Sequence, residues 1–385
     1  MAVERNKMTN IPFNRPYMSS RVVASVRQVI ESGKLSGDGE MCKVVEKQLE
    51  QLFHPRHALL TTSGSHALEM AMAILDLKRG EEVITPSFTF VSVANAVIRA
   101  GGKPVFCEIN GRTLTIDVKD FERRISKRTR AVVPVHYAGV SADMDEIIGV
   151  AEARNILVIE DAAQGVNARY KGKFLGTIGE IGSYSFHDTK NYVSGEGGAF
   201  VTNSEEFARL AEVIREKGTN RSNFLRGEVD RYSWVELGSS YVLSDILAAV
   251  LKCQLDDLDT IQRRRREIHD MYSSGLKELA QQEKLRLPHI PDYCESNYHI
   301  FYILLHDEPE RNRVMNKLRD FGIGATFHYI PLHSSPYALK SLGTGSLKLP
   351  MTDRVSGSLL RLPIYPQLTD DDVQCVIDRV CQILR

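Results

Sequence analysis

The chain has 385 residues, of which 43% are hydrophobic and 25% are charged, as is ordinary for a globular protein of roughly two to three domains. Lysine plus arginine total 49, as do aspartate plus glutamate, so there is no basic surplus to indicate nucleic-acid binding. No apolar stretch reaches the roughly 18 residues of a membrane span, and the six cysteines form no Cys-x-x-Cys pair. We therefore expect a cytoplasmic protein with no membrane segment, disulfide framework or metal site.

The chain is predicted to begin with an irregular arm that is followed by two helices. Residues 1–20 show no regular apolar pattern and are assigned to the arm. One helix is expected over residues 21–32 and another over residues 41–53, where apolar residues recur at helical spacing. A glycine-rich turn over residues 36–39 separates them.

From residue 58 to about residue 203, short apolar runs alternate with helical patterns. The runs predicted as strands are 58–60, 82–84, 104–106, 131–135, 156–159, 182–186 and 198–202. Buried runs of this length between helices favour a mostly parallel sheet with helices on both faces. We therefore expect a large α/β domain over residues 21–255.

The rest of the chain, residues 256–385, is expected to form a smaller α+β domain. A long helix, predicted over residues 244–279, would link the two domains. The other predicted elements are a strand over 299–305 and helices over 311–320 and 370–384. The Ser/Gly/Leu-rich segment 334–350 is predicted to be a variable loop rather than a mobile flap.

Lys190 and Asp161 are the most informative pair of residues in the sequence. Asp161 ends a strongly apolar predicted strand, and Lys190 follows the next strand of the same domain. A lysine amine can bind the aldehyde of pyridoxal phosphate (PLP) and later move a proton, while a carboxylate can keep the pyridine nitrogen protonated. The pair therefore predicts a PLP-dependent enzyme, in which Gln164 could reach the ring hydroxyl or a substrate.

The segment that follows the first strand, residues 61–68, opens a helix with small and hydroxylated residues. Small residues let the backbone approach an anion, and the free N–H groups at a helix start can bind it. The segment is therefore either a phosphate cradle, with Ser63 and Ser65 as further donors, or a plain turn with a serine N-cap. Phe88 or Phe90, after the next strand, could stack on a planar cofactor or pack in the core.

Three histidines are predicted near the edge of the sheet at which ligands of open α/β sheets bind. His187 lies three residues before Lys190 and could orient the cofactor, relay a proton or be structural. His136 ends another predicted strand at this edge. His328 lies in the smaller domain, where it could close on a substrate.

Together these motifs resemble the DegT/DnrJ/EryC1/StrS family of PLP-dependent nucleotide-sugar aminotransferases, from about residue 11 to the C-terminus. In chain order the motifs are Thr-Ser-Gly-Ser-His-Ala-Leu at 62–68, Pro-Ser-Phe-Thr-Phe at 86–90, Val-His-Tyr-Ala-Gly at 135–139, Glu-Asp-Ala-Ala-Gln at 160–164, Ser-Phe-His-Asp-Thr-Lys-Asn at 185–191 and Gly-Glu-Gly-Gly at 195–198. The segments most similar to the family's dTDP-4-amino-4,6-dideoxygalactose transaminases are 32–39, 109–116, 215–221, 238–241 and 327–333.

The resemblance implies a fold-type I PLP-dependent transferase that acts as a homodimer with its active sites at the subunit interface. Lys190 would carry the cofactor and move the proton, Asp161 would bind the pyridine nitrogen, and Gln164 would bind the ring hydroxyl. The other predicted site residues are Gly64, Ser65 and Ser185 at the cofactor phosphate, Phe90 on its ring, His187 as a further catalytic residue, and His136, Tyr137, Arg221, His328 and Tyr329 at the substrate.

One segment departs from the family pattern. Most members read Gly-Tyr-Asn-Tyr-Arg where this chain has Gly-Ser-Ser-Tyr-Val at residues 238–242. The family asparagine reaches across the dimer to the partner's cofactor phosphate, and Ser240 is shorter. A water, Asn220 or Arg221 is expected to complete that contact.

The reaction that the resemblance implies is transfer of the amino group of L-glutamate to C4 of dTDP-4-keto-6-deoxy-D-glucose. The product would be dTDP-4-amino-4,6-dideoxy-D-galactose, used in enterobacterial common antigen or O-antigen synthesis. The alternatives are a 3-aminotransferase, a C4 aminotransferase that gives the gluco product, and a PLP-binding regulator without turnover. Lys190 argues against the related sugar 3-dehydratases, which carry histidine at its position.

Overall fold

The computed structural model describes residues 10–385 of the chain. Residues 1–9 of the predicted arm lie outside the described residues. The part of the arm that is described packs against the C-terminal region, where Ile11 forms a parallel bridge with Ile323. Asn14 also donates a hydrogen bond of 2.9 Å from its side-chain amide to the carbonyl of Asp188.

The described residues form strands and helices arranged around a seven-stranded central sheet. The strands are β1 (His57–Thr61), β2 (Glu82–Pro86), β3 (Lys103–Cys107), β4 (Thr129–Val132), β5 (Leu157–Asp161), β6 (Arg169–Tyr170), β7 (Lys173–Phe174), β8 (Ile181–Ser185), β9 (Gly198–Thr202), β10 (Cys294–Glu295), β11 (Phe301–Leu304) and β12 (Leu359–Leu362).

The helices of the described residues lie on both sides of this sheet and in the C-terminal region. They are α1 (Arg21–Ser32), α2 (Glu40–Phe53), α3 (Gly64–Ile74), α4 (Ser92–Arg99), α5 (Val118–Arg124), α6 (Met144–Glu152), α7 (Glu205–Arg215), α8 (Arg221–Leu225), α9 (Asp245–Asp256), α10 (Leu258–Gly275), α11 (Lys277–Gln281), α12 (Glu308–Asp320), α13 (Pro336–Ser341), α14 (Pro350–Ser358) and α15 (Asp370–Leu384).

The central sheet has the strand order β1-β9-β8-β5-β4-β2-β3. Strands β3, β2, β4, β5 and β8 run parallel, while β9 is antiparallel to both of its neighbours. Because β5 and β8 are parallel and adjacent, their carboxyl ends meet at one edge, where Asp161 is in register with Ser183. The predicted α/β class with a mostly parallel sheet is confirmed.

Side chains alternate between the two faces of the sheet along each strand. Helices cover both faces. Val132 and Val158 face a cluster that includes residues of α2, α6 and α9, whereas Ala131 and Ile159 face a cluster with residues of α3, α4 and α7. The strands are therefore apolar on both faces, which explains the continuous apolar runs of the sequence.

A separate apolar cluster holds the C-terminal region together. Its residues come from α10, α12, α15, β11 and β12, and it also includes Ile11 from the arm. The predicted smaller domain at residues 256–385 has its own core, and we keep that division as a proposal.

Two local predictions were wrong. The predicted helix over 244–279 is divided into three helices, with breaks at Asp257 and Leu276. The carboxylate of Asp257 accepts a hydrogen bond of 2.5 Å from Arg21, which ties the first break to α1. Segment 334–350 is not a plain loop, since it contains α13 and packs Ala338 into an apolar cluster with Phe106.

Residues 10–385 contain no helix that is both long and apolar enough to cross a lipid bilayer. The six cysteines are free thiols, and four of them are buried.

Candidate active site

A cavity of about 520 Å³ lies where the carboxyl ends of β5 and β8 meet the start of α3. Of the predicted site residues, the ones that line it are Gly64, Ser65, Phe90, Asp161, Gln164, Ser185, His187, Lys190, His328 and Tyr329. The first eight come from the large α/β region and the last two from the C-terminal region. The cavity therefore lies between the two parts of the chain.

Lys190 sits in a turn after β8, where its backbone N–H donates to the carbonyl of His187 at 2.8 Å. Burial lowers the pKa of the Lys190 amine to about 8, since a charged amine is poorly solvated there. Asp161 opposes this change, and Arg361 adds to it. About one tenth of an amine with this pKa is neutral at pH 7, and that form is the nucleophile or proton acceptor.

Asp161 is the last residue of β5 and is only 7% exposed. Its Oδ1 accepts a hydrogen bond of 3.1 Å from the N–H of Ala163, the one hydrogen bond that its carboxylate makes within residues 10–385. Burial raises the pKa of this carboxyl, and Lys190 acts against that rise. A buried carboxylate with a spare oxygen fits a cationic partner, and a protonated pyridine nitrogen is such a partner.

The start of α3 borders the cavity, which is lined there by Ser63, Gly64 and Ser65. A Cβ atom at Gly64 would lie 2.9 Å from the Cβ of Ser185 and 3.0 Å from the carbonyl oxygen of Tyr184, so the backbone approach requires glycine. Ser63 caps the helix by accepting a hydrogen bond of 3.1 Å from the N–H of His66. The N–H groups of the first helical turn have no partner within the helix and can bind an anion.

Gln164 and Tyr329 form one wall of the cavity. The Oε1 atom of Gln164 accepts from the N–H of Ala138 at 2.7 Å, and its Nε2 donates to the hydroxyl of Tyr329 at 3.0 Å. The ring centroid of His328 lies 3.4 Å from that of Tyr329. The predicted residues Gln164, His328 and Tyr329 are therefore brought together.

The two candidate aromatic residues of the segment after β2 have different environments. Phe90 is 57% exposed and lines the cavity, with its ring centroid 6.3 Å from that of Tyr329. Phe88 is buried and packs against Tyr137. Of the two, Phe90 is in position to contact a ligand in the cavity.

His187 lies at the rim of the cavity. Its side chain is 46% exposed, and its Nδ1 is 3.0 Å from the hydroxyl of Thr189. Its Nε2 is 3.8 Å from a carboxylate oxygen of Glu196. The catalytic role predicted for His187 stays a prediction.

His136 and Tyr137, predicted to bind substrate, do not line this cavity. His136 has no exposed surface, and both of its ring nitrogens have partners: Nε2 is 2.8 Å from a carboxylate oxygen of Glu160, and Nδ1 accepts from the N–H of Ala142. Tyr137 is also fully buried, and its hydroxyl is 3.0 Å from Nδ1 of His328. In this structure both residues support the wall of the cavity, and the prediction of direct contact is corrected.

Asn220, Arg221 and Ser240 also lie outside the cavity of their own chain. Asn220 accepts a hydrogen bond of 2.7 Å from the N–H of Ser233, and Ser240 forms an exposed bridge with Glu216. Arg221 lies 3.8 Å from the carboxylate of Glu216. A role for these residues at a cofactor phosphate would require a second subunit.

Several cavity residues were missed by the sequence reasoning. Arg361 follows two leucines in β12. A charged residue inside an otherwise apolar strand could have indicated a functional position from the sequence. His299 and Arg265 gave no comparable signal, because their position depends on how the C-terminal region packs.

His299 is held in one protonation state by its neighbours. Asn191 donates from Nδ2 to the carbonyl of Asn297 at 2.8 Å, so its Oδ1 is the acceptor that faces Nδ1 of His299 at 2.8 Å. Nδ1 of His299 therefore carries the proton. Burial holds the pKa of His299 well below its usual value, which leaves Nε2 as an unprotonated acceptor in a cavity-lining residue.

Comparison with known proteins identifies the family. The model of the DegT/DnrJ/EryC1/StrS aminotransferase family matches residues 16–381. The spore coat polysaccharide biosynthesis protein SpsC of Bacillus subtilis is 34% identical over 393 aligned positions, which cover 100% of this chain and 99% of SpsC.

Two solved structures show the same fold over nearly the whole chain. The aminotransferase TlmJ of Streptoalloteichus hindustanus has a TM-score of 0.89 and 30% identity, covering 97% of this chain and 98% of TlmJ. Spr1654 of Streptococcus pneumoniae, named as a sugar aminotransferase, has in its PMP form a TM-score of 0.90 and 26% identity, with 98% of both chains covered. Spr1654 has also been solved in a PLP form. The predicted cofactor, PLP, and the predicted enzyme class are confirmed.

Proposed function

The chain belongs to the DegT/DnrJ/EryC1/StrS aminotransferase family, and on that premise we propose that it transfers the amino group of L-glutamate to C4 of dTDP-4-keto-6-deoxy-D-glucose. The product would be dTDP-4-amino-4,6-dideoxy-D-galactose. The observation that carries the proposal is that Lys190 and Asp161 line one cavity together with the start of α3, whose free N–H groups can bind a phosphate. The choice of sugar is supported by the subgroup-like segment 327–333, which contributes His328 and Tyr329 to that cavity.

The chain's own residues have distinct tasks in this proposal. PLP, when bound, supplies an aldehyde for the amino group and a ring that withdraws electrons from the reacting carbon. Lys190 moves the proton at that carbon, which its pKa of about 8 suits near neutral pH. Asp161 keeps the ring nitrogen protonated, and Gly64, Ser65 and Ser185, which line the cavity, would hold the phosphate at the start of α3.

A sugar is proposed to bind against the wall formed by Gln164, His328 and Tyr329. Burial lowers the pKa of His328 well below its usual value, so the imidazole is neutral and can donate or accept a hydrogen bond. The hydroxyl of Tyr329 stays protonated, since burial raises its pKa. Such neutral polar groups suit the hydroxyls of an uncharged sugar ring.

The proposed product would serve the synthesis of a surface polysaccharide, such as enterobacterial common antigen or an O-antigen. The printed name of SpsC from Bacillus subtilis connects that relative with spore coat polysaccharide biosynthesis. A cytoplasmic location is part of the proposal and is supported by six free thiols.

We also propose that the enzyme is a homodimer. The segment 224–237 exposes large apolar side chains, among them Trp234 and Leu237, each 78% exposed. A cluster of this kind is typical of a protein interface. The same part of the chain carries Asn220 and Ser240, predicted to reach the partner's cofactor phosphate. Replacing both Trp234 and Leu237 with serine should convert dimers into monomers in sedimentation velocity, and an unchanged dimer would refute this interface.

The function is tested with the PLP-loaded protein, L-glutamate and dTDP-4-keto-6-deoxy-D-glucose. Formation of 2-oxoglutarate is followed with a coupled dehydrogenase, and the sugar product is identified by NMR. A 4-amino-4,6-dideoxy sugar with an axial amine is the expected product. An equatorial amine would assign the gluco product instead, and an amine at C3 would assign the alternative regiochemistry.

Lys190→Ala is the essential control in this assay. It should abolish turnover and leave the protein folded, whereas Lys317→Ala, on the exposed face of α12, should keep wild-type activity. Normal transamination by Lys190→Ala would refute the assignment of the catalytic lysine. Wild-type protein whose PLP absorbance does not change with glutamate would favour a PLP-binding regulator.

A further inference from the structure

Arg361 brings a guanidinium group into the cavity without an acidic partner among residues 10–385. It is the third residue of β12 and lines the cavity together with Lys190. Its backbone is fixed by hydrogen bonds of 3.2 and 2.8 Å with Thr326. Its side chain makes no ion pair or hydrogen bond with the described residues, and its Nε is buried without a partner.

Arg265, the other arginine that lines the cavity, is in a different state. Arg265 donates from Nε to the carbonyl of Tyr298 at 3.1 Å and from Nη2 to the carbonyl of His299 at 2.6 Å. Two of its donors are thus bound by backbone carbonyls of the protein itself. The guanidinium of Arg361 has neither an anionic partner nor a hydrogen-bond acceptor among the described residues. This arrangement is energetically costly unless a ligand supplies both.

The surroundings of Arg361 leave the edge of its guanidinium available. Its Cζ lies 4.7 Å from the ring centroid of Phe13, so the aromatic ring covers a face of the group. A guanidinium binds a carboxylate through parallel N–H donors in its plane. Stacking on Phe13 therefore orients the group while leaving its in-plane donors for an anion.

We propose that Arg361 binds the α-carboxylate of the amino donor, that is, the carboxylate attached to the carbon that bears the amine. This inference rests on the proposed aminotransferase function. Arg361 is close enough to Lys190 to act electrostatically on its amine. In an amino acid, a carboxylate is one bond from the carbon that reacts at Lys190. In the proposed sugar substrate the diphosphate is attached at C1, several bonds from C4, so the carboxylate fits the position of Arg361 better.

The test compares the two half-reactions separately in the PLP-loaded and PMP-loaded enzyme. For Arg361→Gln, kcat/KM for L-glutamate should fall about 10- to 100-fold, as expected for losing hydrogen bonds to a charged group. The half-reaction with the keto sugar should change less than about threefold, because the keto sugar has no carboxylate beside its reacting carbon for Arg361 to bind. Arg361→Lys, which keeps the charge but not the paired donors, should give an intermediate loss.

Direct binding provides a readout that does not depend on turnover. Glutarate has no amine and cannot react, so calorimetry on the PLP-loaded enzyme measures its affinity alone. Arg361→Gln should weaken glutarate binding by about the same factor as the glutamate half-reaction. L-norvaline has an α-carboxylate but no distal carboxylate. Arg361→Gln should weaken its binding by a similar factor in spectral titrations.

Arg379→Gln is the matched control. The Cζ of Arg379 lies 4.4 Å from the ring centroid of Phe321, an equivalent arginine–aromatic stack outside the cavity. This control should leave both half-reactions and glutarate binding unchanged, and thermal unfolding should show that every variant is folded.

Three results would overturn the inference. The first is an unchanged glutamate half-reaction and glutarate affinity in Arg361→Gln. The second is an equal loss in the sugar half-reaction, which would assign Arg361 to the diphosphate. The third is weaker glutamate binding with unchanged L-norvaline binding, which would assign Arg361 to the distal carboxylate. If wild-type enzyme binds glutarate through Arg361 but aminates no keto sugar, the proposed function fails while this inference stands.

Discussion

The amine of Lys190 should titrate far below an ordinary lysine in the cofactor-free protein. Burial lowers its pKa to about 8, compared with 10.5 for a free lysine side chain. Near pH 7.5, about one quarter of an amine with a pKa of about 8 is neutral, against about one part in a thousand at 10.5. The neutral, nucleophilic form of Lys190 is therefore enriched by roughly 200-fold.

Two substitutions should move this titration in opposite directions. Asp161 stabilises the charged amine, so Asp161→Asn should lower the pKa of Lys190 further. Arg361 repels the charged amine, so Arg361→Gln should raise that pKa. The signs follow from Coulomb interactions in a poorly solvated cavity and do not depend on the chemistry of PLP.

Competitive acetylation measures this pKa directly. The cofactor-free protein is labelled with trace acetic anhydride at a series of pH values, beside a standard amine of known pKa. Mass spectrometry then quantifies acetylation of the peptide that contains Lys190. A midpoint above about pH 10, the ordinary lysine range, would refute the reasoning. A shift in the same direction for both substitutions would refute the electrostatic part.

Further predictions concern Gly64 at the start of α3, a buried ion cluster around Arg215 and the apolar core of the C-terminal region. Gly64→Ala should lower the free energy of unfolding in urea by about 1–3 kcal/mol, because its Cβ would lie 2.9 Å from the Cβ of Ser185; unchanged stability would show that α3 and β8 can move apart. Arg215→Met should lower the free energy of unfolding in urea by about 3–5 kcal/mol, since it leaves the buried carboxylates of Asp38 and Glu46 to share the single cation of Lys43; a neutral effect would contradict this. Leu360→Ala should cost about 2–5 kcal/mol by the same measurement, as its side chain is fully buried, and a cost below about 1 kcal/mol would show that the site refills.

Much of the large α/β region was predictable because its signals are local. Continuous apolar runs predicted every strand of the central sheet to within a few residues, since parallel strands are buried on both faces. The end of β5 at Asp161 and the turn before Lys190 then followed from chain order. The long helix predicted over 244–279 failed, because its breaks depend on contacts such as that of Asp257 with Arg21, which are distant in sequence.

Residues of the candidate site could be predicted where a recognised motif lies at or just after the end of a predicted strand. Gly64, Asp161 and Lys190 are positions of this kind, and all three line the cavity. His136 also ends a predicted strand, yet it is buried against Glu160, because strand position does not determine which way a side chain points. Its role as a support could be seen only from its hydrogen bonds.

The sequence by itself determined the fold class, the family resemblance and the pairing of Lys190 with Asp161, because these depend on local patterns and chain order. The tertiary structure alone decided that Arg361 faces the cavity without an acidic partner among the described residues, and that His299 is held as a neutral acceptor. Charge balance and protonation depend on which distant groups come together and how far they are removed from water. That information arises when the C-terminal region packs against the sheet edge.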